Sequence, residues 1–254
     1  HPYTSMVQAA FCEEYQNKFN MKNHLNRQFI DYVEARLKCI SGNKKKSLEL
    51  YEQAIRYTMP DYDKKENIAC ISVYEAYIVC EIAALSAESG NVERAERLYM
   101  KLIKICKESN MDRWIIGRIY PKAVCGILRI TKIEEKAADT LEFFWEICDG
   151  AIECLRQTGR LYFLRELLTN YNALCACAGQ TVQKEYNELL TCLNDLYERY
   201  NICEHDYEWY PYYINGIFYP VDKVINERRK VYGMTVEELT VAGASLFFIS
   251  RNRA

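Results

Sequence analysis

The sequence has few residues that interrupt helices and lacks the long apolar runs that cross membranes. It contains 10 glycines and 5 prolines among 254 residues, too few for an all-β chain with many tight turns. The formal net charge of −2 argues against a protein that coats nucleic acid without sequence preference, but it does not exclude a local basic patch. Because no apolar stretch approaches the ~20 residues of a transmembrane helix, we expect no contact with a membrane.

Catalytic and metal-binding patterns are also missing. The three histidines, His1, His24 and His205, share no spacing with acids or nucleophiles that would form a triad or a metal site. The chain has no Cys-x-x-Cys pair and no glycine-rich phosphate loop. We therefore expect no enzyme activity, no catalytic residue, no metal ligand and no cofactor. An active site built from distant residues stays open, and a deep polar cleft with shifted pKa values would favour it.

Cysteine, by contrast, is abundant. The chain contains 12 cysteines, and most of them stand among apolar residues in stretches with helical periodicity, such as Cys70 and Cys175. Free cysteine packs as a small hydrophobic residue, and intracellular thiols remain reduced. The pattern therefore predicts unpaired cysteines inside helices and a cytoplasmic protein, rather than a disulfide framework or a zinc site.

One spacing occurs twice and organises the first half of the chain. Each copy has an alanine seven residues before a Gly-Asn pair, a small residue five positions after the glycine, a tyrosine four later, and a small or apolar residue three after that. The copies are Ala35, Gly42, Asn43, Ser47, Tyr51 and Ala54, then Ala83, Gly90, Asn91, Ala95, Tyr99 and Leu102. A glycine ends a helix through a positive φ, and spacings of 5, 4 and 3 share one face of the next helix. The pattern predicts two helical hairpins.

These positions resemble the consensus of the tetratricopeptide (TPR) family. The resemblance implies an all-α fold, a TPR-like solenoid of stacked antiparallel helix pairs with Tyr51, Ala54, Ala95 and Tyr99 buried between helices. Gly42 and Gly90 are further apart than the ~34 residues of an ideal TPR repeat. We therefore expect a long first helix in the second pair, from about Lys65 to Glu88.

Helical periodicity continues on both sides of the hairpins. We expect further helices over Ser5–Phe19, Arg113–Thr131, Glu134–Thr158, Arg160–Ala178 and Thr181–Tyr200. Residues 201–220 break the pattern with a dense aromatic stretch, which we expect to pack against the last helices, with a ligand lid as the alternative. The predicted domains are a TPR-like helical repeat domain over residues 1–200, an aromatic-rich connector over 201–220 and a partial helix-turn-helix over 221–254.

The tail contains three short helical patterns separated by turns with glycine. Val221–Tyr232 is basic and amphipathic, Thr235 and Glu238 form a predicted capping box, and Ser245 is the predicted N-cap of a third helix. Three short helices with a glycine in the turn are typical of a helix-turn-helix.

Within this tail, Ile225–Leu239 resembles the start of a Cro/phage-repressor (XRE-type) DNA-binding domain, and Ile249-Ser250-Arg251 matches the usual end of its recognition helix. The resemblance implies a set of DNA-contacting residues. They are Arg228, Arg229, Lys230, Thr235, Ser245, Ser250 and Arg251. The family's usual glutamine is replaced by Val236, and Phe247 and Phe248 cannot hydrogen-bond to base edges. The tail is therefore either a DNA-reading module or a packing or homodimer element.

TPR-like helices beside such a tail resemble the cytoplasmic transcriptional regulators of Gram-positive bacteria that bind short signalling peptides in a TPR groove. The resemblance implies a regulator whose concave groove binds a peptide or protein partner and controls DNA binding, through the C-terminal helices or a further domain. The alternative is a TPR-type protein-interaction scaffold without a DNA role. The peptide-contacting residues are unknown at this point. Because the chain begins at His1 rather than methionine, we expect a fragment or a processed chain.

The cysteine pattern gives a first testable prediction. Titration of the denatured protein without reductant should find close to all 12 thiols, because none is expected to be oxidised or bound to metal. A thiol titration with Ellman's reagent and a metal analysis by mass spectrometry measure both quantities. A clear deficit of thiols, or stoichiometric zinc, would contradict the prediction.

Overall fold

The described part of the chain is entirely helical. The computed structural model describes residues 21–64, 71–159 and 163–200, and within these ranges it has eight α-helices, one short 3-10 helix and no strand. The expectation of an all-α fold is confirmed for these residues. The predicted helix Ser5–Phe19, the connector over 201–220 and the tail over 221–254 lie outside them, as do the two domain boundaries at 201 and 221.

The helices follow one another along the chain with short connections. They are α1 His24–Ile40, α2 Lys44–Arg56, α3 Val73–Glu88, α4 Val92–Glu108, α5 Arg113–Ile130, α6 Ala138–Thr158, α7 Leu164–Cys177 and α8 Lys184–Tyr200. The chain divides into two compact units between Cys154 and Leu155, within α6. The first unit contains α1 to α5 and most of α6, and the second contains α7 and α8.

The first Gly-Asn pair ends one helix and begins the next. Gly42 has a φ of 82°, and the backbone N–H of Asn43 donates to the carbonyl of Lys38 at 2.8 Å, which closes a Schellman turn after α1. The side chain of Asn43 then accepts from the backbone N–H of Lys46 at 3.2 Å and caps α2. The predicted positive φ is confirmed, and one dipeptide supplies both the stop and the start signal.

The second Gly-Asn pair repeats this geometry. Gly90 has a φ of 90°, the N–H of Asn91 donates to the carbonyl of Ser86 at 2.8 Å, and the Asn91 side chain accepts from the N–H of Arg94 at 3.2 Å. The sequence repeat is therefore also a repeat of backbone conformation. It makes α1–α2 and α3–α4 two hairpins of the same kind.

The small position of the first hairpin lets its helices approach closely. The hydroxyl of Ser47 donates to the carbonyl of Ala35 at 2.7 Å, and both residues are fully buried. Tyr51 is buried one turn further on, with its ring 5.6 Å from that of Tyr32. At the open end of the hairpin Gln28 donates to the carbonyl of Ala54 at 3.2 Å. The start of α1 therefore meets the end of α2, so the two helices are antiparallel.

The second hairpin uses the same positions with a different neighbour. Ala83 and Ala95 are both fully buried, and the Tyr99 hydroxyl donates to the carbonyl of Cys80 at 3.3 Å. The Tyr99 ring also lies against Gly126 of α5, where a Cβ atom would come within 2.3 Å of the ring. Tyr51, Ala54, Ala95 and Tyr99 are thus buried as predicted.

Helix α3 differs from its prediction in length and in pattern. It begins at Val73 because Ser72 is extended and forms a capping box with Glu75, so the expected long helix from Lys65 is wrong. The extra residues of the longer repeat precede α3, and Tyr57–Lys64 among them forms turns. Ile71, Tyr74, Ile78, Ile82 and Leu85 recur at steps of three and four, a spacing that predicts a single apolar stripe on this helix. Instead α3 is buried nearly all round, because it packs against α2, α4 and α5.

The connection from α5 to α6 lacks a turn glycine, as the sequence indicated. A 3-10 helix, Ile133–Glu135, occupies this connection, and α6 begins at Ala138, four residues after the predicted start. Helix α5 continues through Pro121, which is buried. A proline removes one backbone hydrogen bond, to residue 117, and its ring crowds the carbonyl group of that residue, which is the conformationally permissive Gly117.

The second unit contains one further hairpin. Gly179 has a φ of 64°, and the N–H of Gln180 donates to the carbonyl of Cys175 at 2.8 Å, so the predicted turn is confirmed. Across the hairpin, the rings of Tyr171 and Tyr186 lie 4.9 Å apart, edge to face. This aromatic contact joins the middle of α7 to the start of α8.

None of the nine cysteines in the described ranges forms a disulfide with another described cysteine, and five of them are buried: Cys80, Cys106, Cys125, Cys148 and Cys175. Burial raises the pKa of the Cys106 thiol to about 12, so this group remains protonated at neutral pH. The packing role expected from the sequence is confirmed for the buried cysteines. The number of thiols in the whole chain stays a prediction.

The contact between Tyr99 and Gly126 gives a prediction on stability. Gly126→Ala should lower the free energy of unfolding by about 2 kcal/mol, because the new methyl group overlaps the buried tyrosine ring. On helix propensity alone the same change would stabilise α5 by about 1 kcal/mol. Urea unfolding of the purified variant measures the difference.

A double variant provides the control. In a Tyr99→Leu background the ring is absent. Adding Gly126→Ala should therefore lower the free energy of unfolding much less than it does in the wild type. An equal loss of stability in both backgrounds would show that the glycine is required for a reason other than the tyrosine.

Candidate binding surface

Three charged side chains from three helices of the first unit meet. Arg36 lies on α1, Glu81 on α3 and Lys122 on α5. The packing of α3 against α5 brings Glu81 to Lys122, and Arg36 reaches the same carboxylate from α1. We call these three residues the charge cluster. It connects α1, α3 and α5.

Both cations of the charge cluster approach the same oxygen atom. Lys122 Nζ donates to Glu81 Oε1 at 2.8 Å, and Arg36 Nη1 lies 3.9 Å from that atom. The three side chains are between 8% and 18% exposed. Water screens such a group far less than a surface pair, so its electrostatic effects are strong. The three residues together carry one excess positive charge.

Aromatic rings border the charge cluster. Lys122 Nζ lies 5.0 Å from the centroid of the Tyr77 ring, within the range of a cation–π interaction. Tyr51 is buried close by, and its pKa is raised well above the ordinary value, first by burial and then by the negative charge of Glu81. The charge cluster therefore lies between the surface of the helices and the buried interior of the first hairpin.

A thiol lies near the same group. Cys39 of α1 is half-buried, and its pKa is raised by burial first and by the carboxylates of Glu81 and Glu88 second. This thiol is therefore less reactive than an exposed cysteine. We assign it no role in chemistry.

Sequence reasoning missed the charge cluster. Arg36 directly follows the repeat's alanine, but the same position of the second copy is Ala84, so the repeat gives no signal. Glu81 is the charged residue in the apolar middle of α3, with Cys80 and Ile82 buried on either side of it, whereas Glu75 and Glu88 lie near the ends of the helix. That interruption of a buried helix is the one feature that could have indicated a special role, since charged groups are seldom buried without a partner.

A second charged group has a structural role. Arg94 of α4 contacts Glu52 of α2 at 2.8 Å and Asp63 at 3.2 Å, and Arg97 contacts Asp63 at 2.9 Å. The hydroxyl of Tyr62, a buried residue in the same loop, accepts from Arg94 at 2.9 Å. These contacts attach the loop after α2 to α4, and they join α4 to α2 through Arg94 and Glu52.

The pKa values of this second group follow from its geometry. Burial raises the pKa of Tyr62 to about 12, and this effect outweighs the positive charge of Arg94. Burial would also raise the pKa of Asp63, but the hydrogen bond from Arg97 and the charge of Arg94 together hold it below the ordinary value. Both groups therefore keep the charge state that stabilises the loop at neutral pH.

The residues predicted to contact DNA cannot be located relative to this surface. Arg228, Arg229, Lys230, Thr235, Ser245, Ser250 and Arg251 all lie outside the described residues. Within the described ranges, no group of three or more histidine, cysteine or acidic side chains is arranged to hold a metal ion. No helix in those ranges is both long and apolar enough to cross a membrane.

Comparison with known proteins returned no match among protein families, curated proteins or solved structures. The function is therefore inferred from the sequence and the geometry of the chain alone.

The Asp63 contacts give a prediction on pH dependence. A carboxyl group whose pKa is lower in the folded than in the unfolded protein adds stability at every pH above its pKa in the unfolded protein. That stability is lost as the pH falls through its pKa in the folded protein. Asp63→Asn should therefore be less stable than the wild type by about 1 kcal/mol at pH 7. The difference in stability between the two proteins should shrink as the pH falls below 3.8, the ordinary pKa of an aspartate side chain.

Urea unfolding at a series of pH values measures this difference. Asp195→Asn is a matched control, because Asp195 is an exposed residue of α8 and should show little difference from the wild type at any pH. A gap between wild type and Asp63→Asn that stays constant down to pH 3 would contradict the prediction.

Proposed function

We propose that this chain is a transcriptional regulator in which a TPR-like domain binds a peptide or protein partner and controls DNA binding. The TPR-like part of the proposal is supported by the two hairpins. They share a Schellman turn at glycine, an asparagine cap, a buried small residue and a buried tyrosine. Such hairpins stack into solenoids with extended concave binding surfaces, and we infer that α1, α3 and α5 line this face.

The charge cluster is the observation that supports a ligand on this face. A polypeptide lying across α1, α3 and α5 would meet Arg36, Glu81 and Lys122 in turn, with Tyr77 beside them. Recognition sites often combine aromatic rings with a few charged groups of restricted exposure. The charged residues of the second helices pair within the fold instead. Arg94 and Arg97 of α4 bind Asp63 in the loop after α2, and Arg94 also binds Glu52 of α2.

The DNA-binding part of the proposal is supported by the tail sequence. Ile225–Leu239 resembles the opening of an XRE-type domain, and Arg228, Arg229 and Lys230 supply charges of the kind that contact phosphates. A TPR-type scaffold without a DNA role is the second candidate. Phe247 and Phe248 favour it, because they occupy the positions that would otherwise read bases.

Selection of peptides tests the binding function. The full chain is presented with a random heptapeptide display library, and the enriched peptides are titrated against two variants. Lys122→Met removes a cation of the charge cluster but keeps a chain of similar length, and should weaken binding about tenfold. Lys107→Met is the matched control, because Lys107 pairs with Glu146 between α4 and α6. Equal binding by both variants would locate the peptide elsewhere.

Binding of duplex DNA over a series of salt concentrations separates the two candidates. A working helix-turn-helix should bind one sequence selected from a random duplex pool, and the affinity should fall steeply with salt as phosphate contacts are lost. Arg251→Ala should weaken that binding, with loss of sequence preference if its side chain reads a base. A chain that selects peptides but no DNA sequence would support the scaffold.

A further inference from the structure

Helix α1 has an apolar stripe on the side that faces away from α2. Gln28 and Ala35 each share a hydrogen bond with α2. Successive residues of an α-helix are about 100° apart, so Ile30, Val33 and Leu37 lie roughly opposite these two. Their spacings of three and four place them in one line along the helix. We call these three residues the outer stripe of α1.

The outer stripe is buried, although it lies on the side of α1 that α2 does not reach. Ile30 is 3% exposed and Val33 is 4% exposed. Helix α1 also approaches α3, through Arg36, but Ile30 is about a third of a turn away from that residue. A side chain as buried as Ile30 is normally in contact with about six to twelve others. A further segment of the chain is therefore needed against this side of α1.

We propose that residues 5–19 form a helix that packs antiparallel to α1 and covers the outer stripe. Only residues 20–23 separate this segment from α1, a connection of the length that commonly joins antiparallel helices. Residues 1–20 also belong to the same compact unit as α1. A helix over 5–19 is about 22 Å long, more than the ~10 Å from Ile30 to Leu37, so it extends along the whole stripe.

The sequence of this segment supplies a matching apolar face. Val7, Phe11 and Tyr15 recur at steps of four, which puts them on one side of a helix. Glu13 and Gln16 fall on the opposite side. The segment is therefore amphipathic in the sense that a helix covering an apolar stripe requires.

The short connection also sets the register of the pair. Phe11 lies eight residues before Phe19, and Tyr32 lies eight residues after His24, so these two positions come level in an antiparallel pair. Because Tyr32 falls between the first two residues of the outer stripe along the chain, Phe11 meets that part of the stripe.

The pairing gives the stack of hairpins a polar surface on this side. The terminal units of a helical stack need a polar outer face, because an exposed apolar face attracts other molecules. Glu13 and Gln16 supply that face, and the outer stripe is withdrawn from partners. The inference goes beyond the proposed function, since it concerns a different side of α1 from Arg36 of the charge cluster.

Site-specific photo-crosslinking of the full chain tests the pairing. The photoreactive amino acid p-benzoylphenylalanine replaces Phe11, and in a control variant it replaces Glu13 on the other face of the predicted helix. After irradiation, trypsin releases residues 28–36, which include Ile30 and Val33, as one peptide. We expect this peptide in the main cross-linked product from position 11, and its loss from the products of position 13.

Each alternative occupant of the outer stripe gives a different product. A cross-linked species of twice the chain's mass would overturn the proposal in favour of a second copy. Cross-links from position 11 to residues 201–254, or equal yields of the 28–36 peptide from both positions, would also overturn it. If the Phe11 variant is unfolded by circular dichroism, Tyr15 takes the photoreactive group on the same face, and absence of the 28–36 peptide from its products counts against the pairing equally. None of these results depends on binding of peptide or DNA, so the proposed function is tested separately.

Discussion

The burial of α3 is the constraint on which the first unit depends. This helix packs against α2, α4 and α5, so almost every side chain from Ala76 to Ser86 is enclosed. A helix enclosed in this way fixes the positions of its neighbours, because protein interiors are close-packed and adjust little. The packing around α3 therefore fixes the distance between the two hairpins. It also fixes the positions of the residues that border α3.

The local features of the fold could be predicted from the sequence because each depends on a few neighbouring residues. Gly42 and Gly90 adopt positive φ values, and the asparagines that follow them cap the next helices. The predicted start of α3 is too early, although the signal for its true start is equally local. The apolar periodicity extends upstream of it, and only the capping box of Ser72 and Glu75 shows where the helix begins. Capping contributes about 1 kcal/mol, enough to decide between competing starts.

The candidate site was beyond sequence reasoning for a different reason. Lys122 and Glu81 are 41 residues apart, and their contact depends on how α5 packs on α3. The repeat positions give no help, because the charged residues occupy different places in each hairpin. Charged residues on helices are usually solvated, so of these three only Glu81, which interrupts the apolar middle of α3, differs in its local sequence from the other 65 charged residues of the chain. Only the assembled helices show that the three residues meet.

The fit of Tyr99 against Gly126 has a consequence for how the chain can be rearranged. The equivalent tyrosine of the first hairpin, Tyr51, packs on Tyr32 of its own hairpin, and α3, the helix that follows that hairpin, contains no glycine. The two hairpins therefore have the same turn but different docking surfaces, and neither can replace the other in the stack. Duplication or exchange of a hairpin, which consensus repeats tolerate, would here place an aromatic ring against a side chain. The order of the hairpins is thus fixed by shape as well as by connectivity.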